Sequence, residues 1–237
     1  MPRAKKTSRD AKEPKDDTRA RIHAAALAAF RKKGFDATTM REIATAAGVA
    51  LGGAYYYFPS KDALVLHYYE ETQDQAEAKA DAVFARSNDL RERLGACFHP
   101  RLDVLARDRK LLTGLFRSIA DPSAPASIFS AETRGIRERS LAVFERALAG
   151  SEVSALDENA RRVLVLALWS LHMGVMLYFI HDTSPRQEKT RALVDRSLDL
   201  VVGLLPLAPQ LAPIFGDAVG SILRDAGLLG RAAPQPM

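Results

Sequence analysis

Apolar residues recur with helical spacing along almost the whole chain. No run of alternating β-branched residues bounded by hairpin turns interrupts them. Residues 1–17 are charged and nearly free of apolar groups, which predicts a disordered arm. A first helix is expected from Thr18, with Ile22, Ala25, Ala26, Ala29 and Phe30 on one buried face. Lys32 and Lys33 suit its C-terminal dipole, and Gly34 can stop it in a left-handed cap. Thr39 and Glu42 have the spacing of a capping box opening a second, short helix. Its Ile43, Ala44 and Ala47 face inward, and Gly48 ends it. A third short helix runs from Leu51 to Phe58 and is closed by Pro59. Ser60 caps a long helix from Lys61 into the mid-80s.

Further amphipathic helices are predicted at about 89–106, 109–120, 128–149, 157–181 and 186–205. The segment DPSAPAS (121–127) breaks the chain, as do Pro206, Pro209 and Pro213, and a last helix is expected at 214–229. The fold class is therefore all-α, with about nine to ten helices. A three-helix helix-turn-helix unit at 18–60 follows the arm at 1–17, and a larger helical domain fills 61–237. The stretch 163–180 leaves two readings open. It is long and apolar enough for the lower edge of a membrane span, and equally apolar all round as the core helix of an oligomer must be. The amphipathic faces of the surrounding helices favour the second and argue against a membrane partner.

Charge sharpens this picture. The formal charge of the 237 residues is +5, but residues 1–61 hold 13 Lys/Arg and 6 Asp/Glu, and the rest is close to neutral. A basic front suggests contact with a polyanion. An apolar fraction of 47% with 27% charged residues excludes wholesale disorder. A single cysteine, Cys97, excludes an internal disulfide framework and reads as plain core. The N-terminus lacks the apolar stretch of a secretory signal, so a cytoplasmic location is expected. The five histidines (23, 67, 99, 172 and 181) form no HExxH motif and no metal-ligand spacing, and no GxSxG is present. The expectation is a protein that is not an enzyme, with no cofactor and no metal.

The most informative segment is TTMREIATAAGVALGGAYYYFPSKDALV (38–65), preceded by KKGFDATTM. Its I-A-x-x-A-G-V core, Y-Y-x-F helix and following S-K-x-x-L resemble the DNA-binding signature of TetR-family transcriptional regulators. About 50 residues match in order; the remainder is similar only in length and helical character. The resemblance implies a homodimer that places its third helices in successive major grooves of a double-stranded operator. It assigns Thr39, Tyr55, Tyr57 and Lys61 to phosphate-contacting positions, and Arg41, Leu51, Gly53 and Tyr56 to positions near bases. Independently, three consecutive tyrosines on one helix cannot all be buried, so at least one faces outward. The departures lie among the readers. Ala50 stands where a Ser/Thr cap is usual, and Leu51, Gly52 and Gly53 offer no side-chain hydrogen bonds. Arg41 is then the leading guanine reader.

The resemblance also implies that residues 61–237 hold an effector pocket and a dimer interface. The pocket candidates are Phe98, Phe116, Trp169, His172 and Met176, which would suit a lipophilic ligand. The interface candidates form one stripe of the 157–181 helix: Val163, Leu166, Ala167, Ser170, Gly174 and Leu177. Three readings stand: a repressor released by a small lipophilic effector, a dimeric DNA-binding regulator without one, and an enzyme with an appended DNA-binding head.

Overall fold

Glycine sets both turns of the N-terminal helical unit. Gly34 and Gly48 have φ of 90° and 68°, a left-handed conformation that costs glycine nothing. A computed structural model describes residues 15–121, 123–151, 156–207 and 221. Helix α1 (Lys15–Lys33) ends with the Gly34 amide donating to the Phe30 carbonyl at 2.9 Å. Helix α2 (Met40–Ala46) starts on the expected capping box. The Glu42 amide donates to the Thr39 hydroxyl oxygen, and the Thr39 amide donates to the Glu42 carboxylate at 2.8 Å. After α2, the Val49 amide bonds the Ala44 carbonyl and the Gly48 amide bonds that of Thr45, a Schellman turn. That turn aims α3 (Leu51–Tyr57), which packs on α2 as α2 packs on α1. Ile22, Phe30, Ile43, Ala44, Ala54, Phe58 and Leu64 are the buried core of this unit.

The unit closes at His67, and a second begins at Tyr68, so the division falls inside α4 (Lys61–Phe84) rather than before it. The Ser60 hydroxyl accepts from the Ala63 amide at 3.1 Å, capping α4 as expected. The second unit continues with α5 (Leu90–Leu105), α6 (Arg109–Ala120), α7 (Arg134–Ala149), α8 (Glu158–His181) and α9 (Glu188–Leu204). Helix α5 packs on α7 and α9, while α8 packs on α6, α7 and α9. Among the described residues there are short 3-10 turns but no strand.

Buried Arg93 ties this unit together. Its guanidinium donates to the carbonyls of Phe84 (2.9 Å), Ser87 (2.8 Å), Arg146 (2.7 Å) and Ala147 (2.8 Å), at the C-terminal ends of α4 and α7. Its charge also complements the dipoles of both ends.

Two boundaries differ from expectation. Helix α1 begins at Lys15, and α7 begins at Arg134 rather than 128. Hydroxyls hold 127–133 in turns: Thr133 donates to the Ser127 carbonyl at 2.6 Å, and Ser130 to that of Pro125 at 2.7 Å. Most of the expected arm and the expected helix at 214–229 lie outside the described residues. Helix α8 is apolar and long enough to cross a membrane. It packs on three helices, which bury only part of that apolar surface.

Candidate functional site

The outward face of α2 and α3 brings the sequence-derived DNA candidates onto one motif. Thr39 and Arg41 are exposed, and Leu51, Gly53 and Tyr57 are half-buried. Tyr55 and Tyr56 are 47% and 71% exposed, so the tyrosine triplet presents two rings to solvent. Ala50 starts α3 without a side-chain cap. A Cβ built at Gly52 would meet nothing within 4 Å, and one at Gly53 only Val49 Cβ at 4.0 Å. Among the described residues nothing demands glycine at either place.

Electrostatics reinforce the frame of this motif. Lys33 pairs with the Glu42 carboxylate, and together with the Thr39 hydrogen bonds it holds the Glu42 carboxyl down to about 2. Lys61 differs from the simplest expectation of a free phosphate ligand. Its ammonium donates to the Phe35 carbonyl at 2.8 Å and lies 4.4 Å from the centre of the Phe35 ring. It tethers the loop after α1, and the carbonyls of Phe35 and Asp36 offset the unfavourable placement of a cation at a helix N-terminus.

The second unit holds a half-open cavity of about 450 Å³ among α4–α8. Phe116, Trp169, His172 and Met176 line it, with Leu105, Leu112 and Ile180 extending the apolar wall. Phe98 does not line it. Its ring is fully buried behind the wall, 5.5 Å from Phe144 and 5.4 Å from His172. Helical spacing placed Phe98 inside but could not tell lining from backing. Spacing alone also missed Arg101 and Gln73 on the same wall. A signal for Arg101 was present, since it falls seven residues after Leu94 and three after Phe98 on the inner face of α5. Burial and the charge of Arg101 push the His172 imidazole down to about 3, so it is neutral. Cys97 is buried and free, with its thiol pushed up by burial.

The α8 stripe divides. Ala167, Ser170, Gly174 and Leu177 are exposed, Val163 is half-buried and Leu166 is buried. Leu166 sits at the edge of the stripe, where a neighbouring helix can cover it. Gly174 and Leu177 also border the cavity. On α9, Leu193, Leu200 and Leu204 are exposed as well.

Comparison with known proteins gives the family. Residues 22–68 match the family described as bacterial regulatory proteins, tetR family, and residues 93–219 match the tetracyclin repressor-like C-terminal domain. The chain belongs to the tetR family. It is 27% identical over 193 residues to the transcriptional repressor KstR of Mycolicibacterium smegmatis, covering 81% of this chain and 89% of that protein. It is 34% identical over 133 residues to the probable regulator ArpR of Pseudomonas putida, covering 55% and 52%. The chain spans about a third to about a half of the length of several curated relatives it matches. The fold is similar to that of the regulator FadR of Bacillus subtilis in complex with stearoyl-CoA. There the TM-score is 0.56 at 17% identity, covering 76% of this chain and 96% of that one.

Proposed function

We propose that this chain is a homodimeric repressor that grips a palindromic operator through α2 and α3 and leaves it when a small lipophilic effector fills the α4–α8 cavity. The observation that carries this reading is the pairing, in one chain, of an outward-facing helix-turn-helix with a mainly apolar cavity of drug-sized volume. About 450 Å³ lies within the roughly 300–1,000 Å³ of ordinary small-molecule sites. The repressor role draws support from the name of KstR, and the lipophilic effector from the stearoyl-CoA bound to FadR. Thr39, Tyr55, Tyr57 and Lys61 serve phosphates, Lys61 also through the loop it tethers. Arg41, Leu51, Gly53 and Tyr56 approach base edges. The exposed faces of α8 and α9 join two copies. Such a regulator works beside the chromosome, in the cytoplasm, and needs no catalytic group.

The test combines DNA selected from a random pool with a panel of C8–C16 alcohols and acids. Tight binding that one of these compounds reverses supports the reading. Tight binding that none reverses, with no compound altering Trp169 fluorescence, leaves a DNA-binding regulator without a lipophilic effector.

A further inference from the structure

The cavity wall carries a cation, Arg101, that makes no ion pair among the described residues. Arg101 lines the cavity, and its hydrogen-bond partner among the described residues is the neutral Gln73 amide oxygen. The same oxygen accepts from Ser140 at 3.2 Å, so it is shared. Glu77, the acid whose field reaches Arg101, is already engaged by Arg139 at 3.1 Å, by Arg146 at 3.7 Å and by the Gln73 amide nitrogen at 2.6 Å. Burial lowers the Arg101 pKa to about 10, which still leaves it charged at neutral pH.

His172 lies on the same wall as a neutral ring whose Nδ1 is buried. An unpaired cation on a largely apolar wall is costly. That cost falls if the occupant brings an anion. A carboxylate suits this best, because its two oxygens can take two parallel hydrogen bonds from one guanidinium. The rest of the wall, Leu105, Leu112, Phe116, Trp169 and Ile180, asks for hydrocarbon.

We propose that the effector is an amphiphilic carboxylic acid, bound as its anion, with its head held by Arg101 and its hydrocarbon body against the apolar wall. This inference rests on the effector reading of the cavity and adds to it the charge of the ligand. A neutral lipophile would leave Arg101 uncompensated. A thioester such as an acyl-CoA would place a neutral carbonyl where the anion is wanted.

The chain supplies its own reporter, since its single tryptophan, Trp169, lines the cavity. Its fluorescence is followed while the full chain is titrated with dodecanoate, dodecan-1-ol and dodecanoyl-CoA at neutral pH. Dodecanoate is expected to bind at least tenfold tighter than the alcohol or the thioester. In Arg101→Met that preference should fall to about onefold, with binding of the alcohol retained. Equal affinity for acid and alcohol in the unaltered chain, or tighter binding of the thioester, overturns the anion assignment and leaves the effector reading standing. A preference that survives in Arg101→Met also overturns it. Failure of all three compounds to bind overturns both. Should Arg101→Met not fold, the comparison in the unaltered chain decides.

Discussion

At the residue scale, charged side chains here do their work by holding backbone in place. Glu42 is the clearest case for pH. Its folded pKa, about 2, lies below the ordinary 4.5 because of Lys33 first and Thr39 second. Its contribution is therefore complete above about pH 4.5 and fades as pH falls through the folded value. Glu42→Gln should unfold more easily than the unaltered chain at pH 6, with the difference shrinking toward pH 2; acid titration of the helical circular dichroism signal checks this. Arg41 is different, because it is exposed and its candidate partner is a base. Arg41→Ala should weaken specific binding by roughly 1–3 kcal/mol and relax the base preference at one position of each half-site. Binding to a panel of single-base operator variants measures it, and an unchanged preference removes Arg41 from the reader role. Lys61→Met should lower affinity for all sequences and also lower the melting temperature, because it frees the loop at Phe35. A loss of affinity with no thermal change would mean that the ammonium serves phosphate alone.

At the element scale, the pair Gly52–Gly53 in α3 sets stability against binding. Alanine fits at both positions and improves helix propensity by up to about 1 kcal/mol each. Gly53→Ala should therefore raise thermal stability while weakening operator affinity, if the missing side chain lets the backbone approach DNA. Melting curves and binding isotherms of the same variant decide it; stability and affinity rising together would remove that role. Elements such as α2 were legible in the sequence because their signals are local. Gly34, Gly48, the Thr39–Glu42 box and Ser60 each act within a few residues of themselves. What escaped was set by distant partners or by local competition. The Arg101–Gln73–Glu77 cluster joins α4 and α5 and draws Arg139 and Arg146 from α7, so no single helix pattern shows it. The start of α7 was missed because serine and threonine hydroxyls stabilise turns that periodicity does not register.

At the scale of the whole molecule, the proposed function requires two copies, because one head would supply only half of the contacts and the second must reach about one DNA turn away, roughly 34–36 Å. The exposed small residues of α8 and the exposed leucines of α9 are the faces proposed to join them. Among the described residues nothing lies within 4 Å of a Cβ at Gly174, so the first carbon of a side chain fits there without a clash. Gly174→Leu should stay helical, shift toward monomer in sedimentation at micromolar concentration and lose tight operator binding. A variant that remains dimeric with unaltered affinity would place the interface elsewhere. Neutralising ~6 phosphates with the basic front should give a slope of log affinity on log salt near −5. The most direct measurement is selection of bound duplexes from a random pool by the full chain, with the winners titrated against salt. The account predicts enrichment of a two-fold symmetric sequence, with half-sites about one helical turn or a multiple apart and steeply salt-dependent binding. A pool that yields no enriched sequence, or winners whose affinity is flat between low and moderate salt, would contradict it.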